Sequence, residues 1–119
     1  MVKLESLKKS NQFRKALKEK KIHTDYFSIF AAKNFFKPKF KSNLLISFVM
    51  KKKIGNAVKR NRIKRKLRSI VQKLSMMNST INLDYIYVIF GKDKAYNEYN
   101  NSLYEKMKKS FKRMQSLKV

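Results

Sequence analysis

The residues best able to do chemistry in this chain are the cations of Gly55-Asn-Ala-Val-Lys-Arg-Asn-Arg-Ile-Lys-Arg-Lys-Leu-Arg68. Guanidinium forks suit bidentate contacts with phosphate, and spacings of three and four residues place several of them on one helix face, where they can follow a polyanion backbone. Gly55 supplies a turn with φ > 0, Asn56 a helix cap, and the N–H groups of that helix start add to an anion site. A run of cations on a helix is ordinarily a solvated face laced with i, i+4 ion pairs. Between Lys59 and Lys73 there is no carboxylate, so this run builds uncompensated repulsion instead. Phosphate binding is the chemistry it fits.

Covalent chemistry has little to work with. The chain has one His and no Cys, and its carboxylates, Glu5, Glu19, Asp25, Asp84, Asp93, Glu98 and Glu105, show no constellation. His23 sits between a helix and an aromatic strand, where a loop or packing role is the ordinary reading without partners. No catalytic residue and no metal ligand is expected on the chain.

The elements that must hold the cationic run can be read from periodicity. Ile63, Leu67, Ile70, Val71 and Leu74 form one apolar stripe of a helix, with Asn61, Arg62, Lys64, Arg65 and Arg68 on the arc away from it. Upstream, Ser10 and Asn11 are candidate caps for a short amphipathic helix carrying Phe13 and Leu17 one turn apart. His23 to Phe36 reads as a strand with Tyr26, Ser28, Phe30 and Ala32 on one side and Phe27, Ile29 and Ala31 on the other. Lys37 to Asn43 carries the only Pro and reads as a basic loop before a strand at Leu44–Met50, with two antiparallel strands as the simplest arrangement. Ser75–Asn82 reads as a polar loop, Leu83–Phe90 as a buried strand, and Leu103, Met107, Phe111 and Met114 as the stripe of a closing helix. The order α-β-β-α-β-α, with room for one more short strand, predicts an α+β sandwich: a small, mostly antiparallel sheet packed with helices, in one domain over 1–119.

Composition points the same way. Of 119 residues, 43% are hydrophobic and 13% aromatic, enough for a folded core at this length. The 31 Lys and Arg against 7 Asp and Glu give a formal charge of +24, which calls for a polyanionic partner, nucleic acid or anionic membrane. Absence of Cys removes disulfide scaffolds and thiolate zinc sites and suits a reducing cytosol. The N-terminal residues lack the apolar run of a signal peptide, and the longest apolar stretch, Asn43 to Met50, is far short of a spanning helix. A cytoplasmic location is therefore expected.

The run from Gly55 to Arg68 also resembles the Arg-Asn-Arg signature helix of the bacterial ribonuclease P protein family. The resemblance extends to Phe13, to Asp84-Tyr-Ile-Tyr-Val-Ile89 as the late strand, and to the closing helix, covering nearly the whole chain. It implies a protein that binds a large catalytic RNA and the 5′ leader of precursor tRNA, assisting endonucleolytic removal of that leader, with Mg²⁺ and the catalytic groups held by the RNA. It implies RNA contacts at Lys52, Lys53, Asn56, Arg60, Asn61, Arg62, Lys64, Arg65 and Arg68, and a leader cleft lined by Phe13, Leu17 and Phe30. It further implies a left-handed β-α-β crossover, against the usual right-handed rule. The sequence departs from the family pattern at Val49-Met50-Lys51, where a Ser-Val-Ser run is common, and at Lys92, where Arg is common.

Two rival readings explain the charge. A ribosomal protein buttressing folded rRNA would use the same phosphate contacts but needs no aromatic cleft for a flexible strand. A membrane-active protein would use amphipathic helices, but helices interleaved with strands demand a common core. Neither a membrane nor DNA is expected as a partner.

Overall fold

The computed structural model describes residues 3–33, 43–77 and 80–117. Its elements are β1 (Lys3–Glu5), α1 (Ser10–Ala16), β2 (Lys20–His23), β3 (Phe27–Lys33), β4 (Asn43–Val49), α2 (Ala57–Ser75), β5 (Tyr85–Gly91) and α3 (Asn100–Ser116), with short 3-10 turns at Lys52–Ile54 and Asp93–Tyr96. The five strands form one sheet in the order β1-β4-β5-β3-β2. β3 pairs antiparallel with β2 and β5, while β4 pairs parallel with β5 and β1. Antiparallel pairing predominates in register length, and the chain forms the expected α+β sandwich.

The strand pairing needs one correction. β3 and β4 are not a hairpin, because β5 lies between them and bonds to both. All three strands are apolar on both faces, and such a strand gains most at the centre, where both neighbours satisfy its backbone groups. β4, α2 and β5 thus make a β-α-β crossover that places α2 across one side of the sheet.

Boundaries also shift. The strand expected from His23 is two strands. Thr24 Oγ1 accepts the backbone N–H groups of Tyr26 at 3.2 Å and Phe27 at 3.1 Å, closing a turn that takes Tyr26 out of the ladder. His23 ends β2 and pairs with Ser28 of β3. The N-cap of α1 is Lys9, one residue before the predicted caps, and its backbone N–H donates to Gln12 Oε1 at 3.4 Å. β5 runs from Tyr85 to Gly91 rather than Leu83 to Phe90. The end of the expected first strand at residues 34–36 and most of the predicted basic loop lie outside the described residues, and Asn43 belongs to β4.

Alternation gives the sheet two different sides. On one, Phe27, Ile29, Ala31, Leu44, Ile46, Tyr87 and Ile89 pack against α2 and α3, through Ile63, Leu67, Ile70, Val71, Leu74, Leu103, Met107, Phe111 and Met114. Most of these are fully buried, each contributing about 1.5–3 kcal/mol by leaving water. On the other, Ala32, Ile86 and Val88 meet Ala16 of α1 in a smaller cluster. The seven-residue α1 is too short to cover that side, and the far end of the sheet face stays open.

Gly91 marks a close approach. A Cβ there would collide with Met50 Sδ and lie 2.9 Å from Ile63 Cγ2, so any side chain would have to displace Met50 and Ile63 where the end of β5 passes α2.

Candidate nucleic-acid interface

The cationic helix is built as its sequence requires. Gly55 has φ 153°, a conformation that strains any side chain, and turns the chain out of the Lys52–Ile54 turn. Asn56 then caps α2, its Oδ1 accepting the Lys59 N–H at 2.9 Å. That oxygen is committed to the cap, leaving the Asn56 amide NH₂ for a ligand. With the apolar stripe buried, Asn61, Arg62, Lys64, Arg65 and Arg68 stand exposed on α2, joined by exposed Lys52 and Lys53 just before it.

Not every cation of the run is free to face a partner. Lys59 forms an ion pair with Asp93, and its Nζ also lies 5.2 Å from the centre of the Tyr96 ring. Lys66 Nζ donates to three backbone carbonyls, those of Ala95 at 2.9 Å, Tyr96 at 3.0 Å and Glu98 at 2.7 Å. Burial pushes the Lys66 ammonium below its ordinary pKa, the Arg62 charge adds to this, and Glu98 opposes it. Lys66 therefore pins the loop after β5 to α2. Arg62 holds its guanidinium 5.5 Å from the Tyr96 ring centre. Arg60 is half-buried, with its Nε enclosed and without a hydrogen-bond partner. Lys64, Arg65 and Arg68 engage no carboxylate among the described residues.

The second candidate surface is the open end of the sheet face. Phe30 stacks edge-on against His23, with ring centres 5.6 Å apart, and against Phe90 at 5.4 Å. Lys51 Nζ lies 5.6 Å from the Phe90 ring centre. These groups, with Ser28, Lys53, Ile54, Lys92 and Asp93, line a groove of about 510 Å³. His23 Nδ1 is held 2.7 Å from Ser28 Oγ, and Lys92 Nζ donates to the Thr24 carbonyl at 2.6 Å. The groove ends at Lys53 and Ile54, the turn that leads into α2, so the aromatic surface and the cationic helix adjoin.

The residues predicted for a cleft divide between these places. Phe30 lines the groove, whereas Phe13 and Leu17 pack, half-buried, on the Ala16, Ala32, Ile86 and Val88 cluster and dock α1. They are not among the residues lining the groove. Phe90, His23 and Lys51 were not anticipated there. Phe90 was legible, since alternation places it on the side of Ile86 and Val88.

No group of three or more His, Asp or Glu that could hold a metal occurs among the described residues. The arrangement instead offers guanidinium and ammonium groups for phosphates beside aromatic edges for unpaired bases, the two components of single-strand and structured RNA binding.

Fold and site together define a class: a strongly basic α+β sandwich with a polycationic crossover helix and an aromatic groove. The family model for ribonuclease P matches residues 1–115. The chain is 36% identical over 111 residues to the ribonuclease P protein component of Macrococcus caseolyticus, covering 91% of each. It also resembles two solved structures. One is a Staphylococcus aureus ribonuclease P protein mutant with defective mRNA degradation activity, with TM-score 0.74, 21% identity, and 92% of this chain and 87% of that chain covered. The other is the Thermotoga maritima ribonuclease P protein, with TM-score 0.71, 22% identity, and 92% and 96% covered. The chain belongs to the ribonuclease P protein family.

Proposed function

We propose that this chain is the RNA-binding protein subunit of a bacterial ribonuclease P, holding the catalytic RNA with α2 and the 5′ leader of precursor tRNA in the aromatic groove. The observation that carries the reading is the adjacency of the two surfaces. Exposed cations on one face of α2, uncompensated by carboxylates, continue through Lys53 into a groove lined by Phe30 and Phe90. A structured RNA on the helix and a single strand in the groove would meet at that junction.

On this reading Lys52, Lys53, Asn56, Arg60, Asn61, Arg62, Lys64, Arg65 and Arg68 contact the catalytic RNA, mostly through phosphates that set register without reading sequence. Phe30 stacks a leader base, and Phe13 and Leu17 act through α1, the wall beside the groove. The reaction is Mg²⁺-dependent hydrolysis with the metal and catalytic groups on the RNA. The chain's part is to lower phosphate repulsion between two RNAs and to hold the leader in place, in the cytoplasm.

Leader length tests the assignment. With the holoenzyme, precursor tRNA carrying a leader of several nucleotides should bind more tightly than one with a single nucleotide, and the difference should vanish without the protein. Equal affinities for both would remove the leader role and favour a protein that only buttresses folded RNA.

A further inference from the structure

On the α2–α3 layer, across the sheet from the groove, a hollow of about 420 Å³ is lined by Arg62, Lys66, Glu98, Tyr99, Asn100 and Asn101. Tyr99 is 81% exposed, the most exposed of the large hydrophobic side chains of the described residues. A tyrosine set in the open beside a cavity has surrendered the burial that ordinarily justifies an aromatic. Its backbone begins α3, where the Leu103 N–H donates to its carbonyl at 3.0 Å, while its ring stands in solvent.

The neighbouring groups specify a ligand. Asn100 and Asn101 are exposed, and their amides present both donors and acceptors of the kind that match base edges. Arg62 brings a guanidinium to the same hollow, steadied over Tyr96. Glu98 is the one carboxylate there, and its charge is already engaged. The Tyr26 hydroxyl donates to it, Ser102 Oγ donates at 3.1 Å, and Lys106 Nζ lies 4.0 Å away. Lys66 is turned to its three carbonyls. What remains is one open aromatic face, amide groups and the Arg62 guanidinium, held over the Tyr96 ring, in a space of ligand size.

We propose that this hollow takes a single unpaired nucleotide of the catalytic RNA, its base stacked on Tyr99 and its phosphate on Arg62. The inference rests on the proposed RNA-binding function and adds to it a base-stacking anchor at the margin of the cationic face of α2, with Arg62 common to both. A leader strand lying in the groove is on the other side of the sheet, so the nucleotide belongs to the RNA that α2 holds.

The test is the affinity of the full-length protein for a bacterial ribonuclease P RNA. Tyr99→Ala and Tyr99→Leu should each weaken binding roughly 5- to 100-fold with an unchanged salt slope, because stacking releases no counterions, while Tyr99→Phe stays within about twofold of the parent. Base-selective modification, dimethyl sulfate for A and C and a carbodiimide for G and U, should show one unpaired base protected by the parent protein and exposed with Tyr99→Ala. Wild-type protein that fails to bind the RNA overturns the function itself. Binding by the parent with no loss in Tyr99→Ala, or a Tyr99→Leu variant that binds like Tyr99→Phe, overturns the pocket alone and would leave Tyr99 to a protein partner.

Discussion

Lys66 Nζ donates to the backbone carbonyl of Glu98 at 2.7 Å, the shortest of its three bonds to the loop between β5 and α3. A cation from the middle of the signature helix is thus spent inside the protein, fixing that loop against α2. Lys66→Met should cost about 2–3 kcal/mol, the range for losing hydrogen bonds from a charged donor. The salt dependence of RNA binding should keep its slope. Urea unfolding and a salt titration read the two effects separately.

Arg65 and Arg68 are exposed and engage no carboxylate among the described residues. Arg65→Ala and Arg68→Ala should each weaken catalytic-RNA binding and lower the slope of log K against log salt by about 0.7–0.9 for each phosphate that is no longer neutralised. Filter binding across a salt series measures both, and melting temperatures should hardly move.

Phe90 is the groove aromatic that its neighbours Phe30 and Lys51 both touch. Phe90→Ala should reduce holoenzyme affinity for a long-leader precursor by roughly 5- to 100-fold, as expected when the stacking of one base is removed, and leave a one-nucleotide leader unaffected. Phe13→Ala should act differently. Phe13 docks α1 on the Ala32, Ile86 and Val88 cluster, so its truncation should lower stability by about 2–4 kcal/mol before it changes any leader binding.

Glu98 titrates below its ordinary value, chiefly because the Tyr26 hydroxyl donates to its carboxylate. A group whose folded-state pKa is depressed gives stability that is fully present above its unfolded value, about 4.3, and is lost as pH falls through the folded value. Acid unfolding should therefore steepen below about pH 4, and Tyr26→Phe should flatten that limb. Melting temperatures from pH 3 to 7 for both proteins provide the comparison.

Much of this was legible in the sequence, and the misses have physical causes. The stripes of α2 and α3 were readable because each helix buries only one face, so residues such as Leu67 and Phe111 recur at helical spacing. The Asn56 cap and the Gly55 turn were readable because few residues suit those positions. Room was left for one more short strand and His23 was placed in a strand, but neither β1 nor β2 was located, because a strand of three or four residues holds too little alternation to register. The hairpin assumed between β3 and β4 failed because pairing of strands apolar on both faces depends on the whole sheet rather than on chain order. In the site, the exposed cations of α2 followed from periodicity. The structural use of Lys66 did not, since it depends on carbonyls about thirty residues away.

The central claim is tested most directly by multiple-turnover cleavage of a precursor tRNA by a bacterial ribonuclease P RNA at low, near-physiological Mg²⁺, with and without this protein. The account predicts that adding the protein restores accurate 5′ maturation under conditions where the RNA alone is nearly inactive. Tight binding to the RNA with no change in cleavage would contradict it.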